Sequence, residues 1–140
     1  MVSWNNLDTL SSYKELADVK PACLTEVMSG DNGAERVKNY SVPMAAGLSY
    51  NYASKQVNEN VLAALEKLAD EAQLADKFKA LYYGEVVNTG EKRLVLHHMT
   101  RGQLGDAVEA DGVDKRTFYK TQQERIAEFA NKVHNGEITN

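Results

Sequence analysis

Histidine and cysteine are the side chains of this sequence most suited to metal binding or nucleophilic catalysis, and their spacing limits both. His97 and His98 are adjacent, so on a helix they point about 100° apart and cannot hold one metal ion as an i, i+4 pair can. His134 and the single cysteine, Cys23, lie far from them along the chain, and no His-Glu-x-x-His motif occurs. We therefore predict no metal site and expect these residues to serve packing or to lie at the surface.

Three basic or hydrogen-bonding side chains recur at intervals of four residues, namely Arg93, His97 and Arg101. On a helix this spacing places them along one stripe, where they could bind a carboxylate or a phosphate. The alternative is an arginine–carboxylate network that fixes the helix to the rest of the fold. We favour the network because arginine is the usual cation of buried ion pairs.

Other motifs do not predict catalysis. The two glycines of segment 102–105 are too few for a phosphate-binding loop, and no Gly-x-Ser-x-Gly elbow or histidine near Cys23 supports a nucleophile. Four charged residues of one predicted helix have the i, i+4 spacing of a solvent-exposed face. They are Glu66, Lys67, Asp70 and Glu71. From the residues alone we expect no catalytic, substrate-binding or metal-binding residue in 1–140, and no cofactor.

Composition predicts an ordinary globular chain. Its 140 residues have the length of a single domain, and 43% of them are hydrophobic. Twenty acidic against sixteen basic side chains give a net charge of −4, which argues against nucleic acid or an anionic membrane as the main partner. No apolar run approaches the roughly 20 residues of a membrane span, and the first residues do not resemble a secretory leader. We therefore expect a cytoplasmic protein that contacts no membrane.

The predicted elements are mainly helices, each indicated by apolar residues at helical spacing and by capping or helix-breaking residues. Asn88 and Glu91 have the spacing of a capping box, which predicts a helix over 90–101. Asp111-Gly112 suits a tight hairpin turn, so a short β-hairpin is predicted near 107–113. The other predicted helices cover about 7–19, 34–37, 59–72 after Asn58, 74 to the stop at Gly84, and Asp114 to Gly136, with 49–54 extended or irregular. The fold class is mainly α, as one segment over 1–140 with no internal boundary.

The segment from Gly84 to His97 resembles a motif of a known family. Its sequence, Gly-Glu-Val-Val-Asn-Thr-Gly-Glu-Lys-Arg-Leu-Val-Leu-His, is similar to the Gly-Glu-x-Ile-Asn-x-Thr-Glu-x-Arg-Ala-Val-Leu-His segment of glucose-6-phosphate isomerases. It departs at Gly90, where the family usually has threonine, and at Leu94, where it has a small residue. Further matches extend over essentially the whole chain, at Asp31, Arg36, Tyr40, Ser41, Tyr52, Val57, Glu59 and Val61 and from Phe118 to Thr139.

This resemblance implies the N-terminal helical part of an enzyme several times longer, packed on two α/β sugar-isomerase domains and forming a homodimer. The family interconverts glucose 6-phosphate and fructose 6-phosphate through ring opening and a cis-enediol. Its catalytic glutamate, histidine, lysine and arginine belong to motifs without a counterpart in 1–140. Glu91 and His97 fall in the family's N-terminal helix, so neither is assigned a catalytic role, and the sugar phosphate is expected to bind through the α/β domains.

Two hypotheses follow. The first is that the chain is the scaffold part of a cytosolic isomerase, inactive alone and exposing an apolar patch where the α/β domains dock. The second is a self-standing helical interaction module without catalysis. Such a module would bind a partner through the exposed faces of the helices predicted at 59–72 and 90–101.

Overall fold

The computed structural model describes residues 2–102 and 105–139, so Gln103 and Leu104, in the middle of the glycine segment 102–105, lie outside the described residues. The described residues group into two compact units. Residues 5–73 form the N-terminal unit, and residues 2–4 with 74–139 form the C-terminal unit. The expectation of one segment without an internal boundary stays a prediction.

Helices and a short hairpin make up the N-terminal unit. Its main helix begins after Asn58, whose side-chain oxygen accepts a hydrogen bond from the Val61 N–H at 3.0 Å. This helix packs against the first helix of the chain, and small side chains such as Ala64 are buried. The elements are α1 (Ser11–Asp18), α2 (Leu24–Val27), α3 (Gly30–Asn39), β1 (Ser41–Pro43), β2 (Ser49–Asn51) and α4 (Glu59–Glu71), with 3-10 turns at Leu7–Thr9 and Ala45–Gly47.

Most expectations for the N-terminal unit are confirmed. Helix 59–72 is α4, the short helix predicted at 34–37 lies inside α3, and the segment 49–54, predicted as extended or irregular, contains β2, which pairs antiparallel with β1. The helix expected over 7–19 is interrupted at Leu10, whose backbone is extended. The 3-10 turn before Leu10 and α1 after it therefore share the amphipathic pattern that predicted one continuous helix.

The C-terminal unit is built around a small apolar cluster. Leu96, Met99 and Val108 are buried, and Leu94 and Tyr119 pack against them. The elements are α5 (Leu74–Tyr82), β3 (Val86–Asn88), β4 (Arg93–Leu94), a 3-10 turn at His97–Arg101, β5 (Glu109–Ala110), β6 (Val113–Asp114) and α6 (Lys115–His134). Strands β3 and β4 form one antiparallel hairpin, and β5 and β6 form another.

The helix expected over 90–101 is wrong. The capping contact exists, because the Glu91 N–H donates to the Asn88 side-chain oxygen at 3.1 Å, but it closes the turn of the β3–β4 hairpin rather than starting a helix. Gly90 disfavours a helical first turn, and Lys92 adopts a φ of +53°. Only the 3-10 turn at His97–Arg101 is helical here. The predicted contact between Asn88 and Glu91 is therefore present, but it belongs to a hairpin turn and not to a helix.

The other expectations for the C-terminal unit are confirmed. The hairpin near 107–113 turns at Asp111-Gly112, where both residues have positive φ. Asp114 accepts hydrogen bonds from the first amides of α6, and Gly84 and Gly136 have the left-handed backbone of helix stops. The fold is mainly α with short antiparallel strand pairs. Within the described residues, none of the helices combines the length and the apolar character that crossing a bilayer requires.

Candidate functional site

A buried arginine fixes the end of α5 to the start of α6. The Arg116 side chain donates to the backbone oxygens of Asp106 at 2.5 Å and Tyr82 at 3.2 Å, and its guanidinium lies 5.2 Å from the centre of the Tyr82 ring. His98 stacks on the same ring, and its Nε2 lies 2.9 Å from the Tyr82 oxygen. These groups hold backbone in place, so the chemistry of Arg116 and His98 is used for structure.

A second buried arginine performs the same task in the N-terminal unit. Arg36, on α3, donates to the backbone oxygens of Ala53 at 2.8 Å, Lys55 at 3.0 Å and Val57 at 2.8 Å. Its guanidinium also lies 4.0 Å above the Tyr40 ring. A forked, planar cation satisfies several carbonyls at once, which explains why arginine stands at this buried position.

The predicted stripe of Arg93, His97 and Arg101 does not form. Arg93 lies on β4 and the other two in the 3-10 turn, and all three side chains are exposed. Arg93 pairs with Glu91, two residues before it, at 3.7 Å, so this ion pair does not connect the segment to the rest of the fold as the predicted network would. Arg36 and Arg116 fix the fold instead. No side-chain motif predicted the role of Arg116, because its acceptors are backbone carbonyls 10 and 34 residues before it.

The prediction of a solvent-exposed charged face on α4 is confirmed only in part. Glu66 and Asp70 are exposed, as expected, but Lys67 pairs with Glu15 of α1 at 3.2 Å rather than with Glu71. Glu71 accepts hydrogen bonds from the backbone and side chains of Ser11 and Ser12. The hydrogen bond from the Ser12 hydroxyl, followed by that from the Ser12 N–H, lowers the pKa of Glu71 to about 2, against partial desolvation that raises it. Glu71 therefore caps another helix.

The remaining candidates for chemistry stay apart. Cys23 is exposed, and His97 and His134 lie at exposed positions of different elements. Across residues 2–102 and 105–139, no three His, Cys, Asp or Glu side chains come together in a way that could hold a metal ion. The structure thus brings together arginine anchors and a helix cap rather than a reactive cluster.

Helix α6 carries large apolar side chains that are exposed in the described residues. Phe118, Ile126, Phe129 and Val133 are all exposed, and we call these four residues the α6 stripe. They follow at i, i+8, i+11 and i+15, which places them within about 80° of one another around the helix. A stripe of this kind is typical of a surface that packs on another element.

Each unit also has a larger concave surface. In the N-terminal unit, Val42, Tyr50, Tyr52 and Leu65 help to line an apolar groove of about 480 Å³ between the β1–β2 hairpin and α4. In the C-terminal unit, the two hairpins border a cleft of about 950 Å³ whose lining carries both signs of charge. Its charged residues are Glu85, Lys92, Arg93, Glu109, Asp111 and Lys115. Lys115 pairs with Asp111 at 3.4 Å, so part of this charge is already neutralised within the chain.

Comparison with known proteins shows which protein family the chain is similar to. The family model described as phosphoglucose isomerase matches residues 51–140. A glucose-6-phosphate isomerase of Treponema denticola is 43% identical over 98% of this chain and 27% of its own length. One from Borreliella afzelii is 41% identical over 99% of this chain and 26% of its own length.

A solved structure agrees with these relatives. The crystal structure of a glucose-6-phosphate isomerase from Chlamydia trachomatis matches 89% of this chain and 25% of its own length, with a TM-score of 0.70 and 25% sequence identity. The chain therefore spans about a quarter of the length of the relatives it matches.

Proposed function

The chain belongs to the phosphoglucose isomerase family, and on that basis we propose that it is the N-terminal helical part of an enzyme that interconverts glucose 6-phosphate and fructose 6-phosphate. The observation that carries the proposal is the extent of the similarity, which covers nearly all of this chain and about a quarter of each relative. Because nearly the whole chain matches one region of a longer enzyme, we infer that it forms part of the architecture of such an enzyme.

The role of this part in the reaction is structural. Proton transfer between the two carbons of a sugar phosphate needs a general base in a pocket shielded from water. Here the buried polar side chains Arg36 and Arg116 are occupied by backbone carbonyls, and the predicted cationic stripe is dispersed on the surface. These arrangements support a scaffold on which the α/β domains bind the sugar phosphate.

The same family membership supports a proposal for the cellular setting. Interconversion of these two sugar phosphates is a step of glycolysis and gluconeogenesis, and it takes place in the cytoplasm. We propose a homodimer, in which the α/β domains of the complete enzyme provide the active site. The net charge of −4 supports a protein without nucleic acid or anionic membrane as its partner.

The alternative function, a stand-alone interaction module, has less support than the isomerase proposal. It relied on the exposed faces of two helices, at 59–72 and 90–101, and the second of these is a hairpin and a 3-10 turn. The exposed face of α4 remains available to it. A reading frame that stops at codon 140, together with a monomeric protein that unfolds cooperatively and binds no hydrophobic dye, would favour this module.

The test begins with the coding sequence beyond codon 140. We expect the frame to continue, and we expect the protein expressed from the whole frame to convert fructose 6-phosphate to glucose 6-phosphate in an assay coupled to NADPH formation. The matched control is the 1–140 chain alone, which we expect to be inactive. Activity of the 1–140 chain would contradict the scaffold role, and an inactive, folded product of the whole frame would contradict the proposed reaction.

A further inference from the structure

Two Asn-Gly pairs occur in the sequence, Asn32-Gly33 and Asn135-Gly136, and the structure places them in different settings. An asparagine followed by glycine cyclises readily, because glycine has no side chain to hinder its own amide nitrogen or to restrict the rotation that ring closure needs. Both asparagines are exposed. The two pairs therefore share the same intrinsic chemistry, and the backbone around each pair decides whether the reaction can occur.

The first pair lies inside α3, where the backbone is fixed by tertiary contacts. Gly33 is buried, and a Cβ built on it would come within 2.4 Å of the Met28 backbone oxygen, so the helix packs closely on the segment before it. Arg36, three residues later, donates hydrogen bonds to three backbone oxygens of segment 53–57. Ring closure rotates ψ of the asparagine out of the helical region. At Asn32 this rotation requires α3 to leave these contacts.

The second pair lies at the end of α6, where the backbone is open. Asn135 is the C-cap residue, and Gly136 has a φ of +74° with nothing within 4 Å of a Cβ built on it. The Gly136 N–H donates to the Val133 oxygen at 3.2 Å, and the Glu137 N–H donates to the Lys132 oxygen at 2.9 Å. These bonds belong to the last turn of one helix. Fraying of that turn breaks them without disturbing the buried residues of the unit.

We propose that Asn135-Gly136 is a site of spontaneous deamidation, while the fold protects Asn32-Gly33. The backbone nitrogen of Gly136 attacks the side-chain carbonyl carbon of Asn135 and forms a new C–N bond. The bond from that carbon to the side-chain nitrogen breaks, and ammonia leaves with the proton of the Gly136 amide. Water then opens the succinimide ring. Addition of water at the former side-chain carbonyl gives aspartate, and addition at the backbone carbonyl gives isoaspartate.

Either product changes the end of α6. Each places a carboxylate at the negative end of the helix dipole, which is unfavourable. Isoaspartate also adds a carbon to the main chain, just before the amides of Glu137 and Ile138, which both donate to the Lys132 oxygen. We expect these two amides to exchange hydrogen faster in the modified protein, which ion exchange separates from the unmodified protein by its additional negative charge.

Incubation of the complete protein in mildly alkaline buffer tests the proposal, because base favours attack by the amide nitrogen. Peptide mass analysis follows the conversion of each pair separately. We expect Asn135 to convert at least about tenfold faster than Asn32 in the native protein, and both to convert at similar rates in urea. Asn135→Gln is the matched variant. Its longer side chain would have to close a larger ring, so we expect it to abolish conversion at position 135 and to leave the rate at Asn32 unchanged.

Equal native rates at the two pairs would overturn the proposal, and so would protection of both pairs in the native protein. A preference for Asn135 that persisted in urea would also overturn it, because the neighbouring residues rather than the fold would then set the rates. The readout does not involve isomerase activity, so the result is independent of the proposed function.

Discussion

Glu71, the last residue of α4, accepts a hydrogen bond from the backbone N–H of Ser12 in the first turn of α1 at 2.8 Å. The N-cap residue of α1 is Leu10, whose side chain cannot accept a hydrogen bond. A carboxylate from another helix therefore satisfies the free amides at the start of α1 and interacts favourably with the positive end of its dipole. One residue thus both caps α1 and fixes it to α4.

Acid should release this cap. Hydrogen bonds in the folded state lower the pKa of Glu71 from 4.5 to about 2, so its stabilising contribution is complete above about pH 4.5 and is lost as the pH falls towards 2. We expect the NMR signal of the Ser12 amide to follow this low titration, and Glu71→Gln to abolish it. Glu15→Gln, which removes only an exposed pair with Lys67, is the control. Titration of the Glu71 carboxyl near 4.5 would contradict the capping geometry.

Two glycines with the same backbone conformation should respond differently to alanine. Gly84 and Gly136 have φ of +75° and +74°, so an added Cβ costs about 1–2 kcal/mol at either site. At Gly84 the Cβ would also be built directly onto Val108 of the apolar cluster, adding about 1–3 kcal/mol of overpacking, whereas nothing lies within 4 Å at Gly136.

Native-state hydrogen exchange of the complete protein measures both substitutions. We expect Gly84→Ala to lower the free energy of local opening at the amides around Val108 by more than Gly136→Ala lowers it at the end of α6. Equal effects of the two alanines would show that the contact between Gly84 and Val108 does not constrain the backbone.

Replacement of the buried Arg116 by lysine should be costly although the charge is kept. A single ammonium group cannot reproduce the forked contacts to the carbonyls of Asp106 and Tyr82, and an unsatisfied buried acceptor costs about 1–3 kcal/mol. We expect Arg116→Lys to lower the free energy of opening of α6 by that amount in hydrogen exchange. Lys120→Ala, which removes an exposed pair with Glu124, should change it by less than about 1 kcal/mol.

The start of α4 offers a matched pair of asparagines. Asn58→Ala removes the acceptor of the Val61 N–H and should destabilise α4 by about 1 kcal/mol. Asn60, two residues later, is an exposed residue inside the first turn, and Asn60→Ala should be neutral or slightly stabilising because alanine has the higher helix propensity. Amide exchange along α4 in the complete protein distinguishes the two, and a neutral Asn58→Ala would contradict the cap.

The sequence by itself determined the features that neighbouring residues decide. Asn58, Gly84, Asp114 and Gly136 mark helix ends, and Asp111-Gly112 marks a hairpin turn, because capping and positive φ depend on chemistry within a few residues. The motif from Gly84 to His97 also indicated the family, which the comparisons confirmed.

Only the tertiary structure decided how those local signals were used. The Asn88–Glu91 contact fits a helix start and a hairpin turn equally well, and pairing of Val86 with Leu94 selected the hairpin. Tyr82, one partner of Arg116, lies 34 residues before it, and Ser12, one partner of Glu71, lies 59 residues before it, so no local spacing could assign these contacts. Hydrogen bonds to backbone groups far along the chain produce no periodic pattern in the sequence. For this reason the side chains that anchor the fold could be identified only from the tertiary structure.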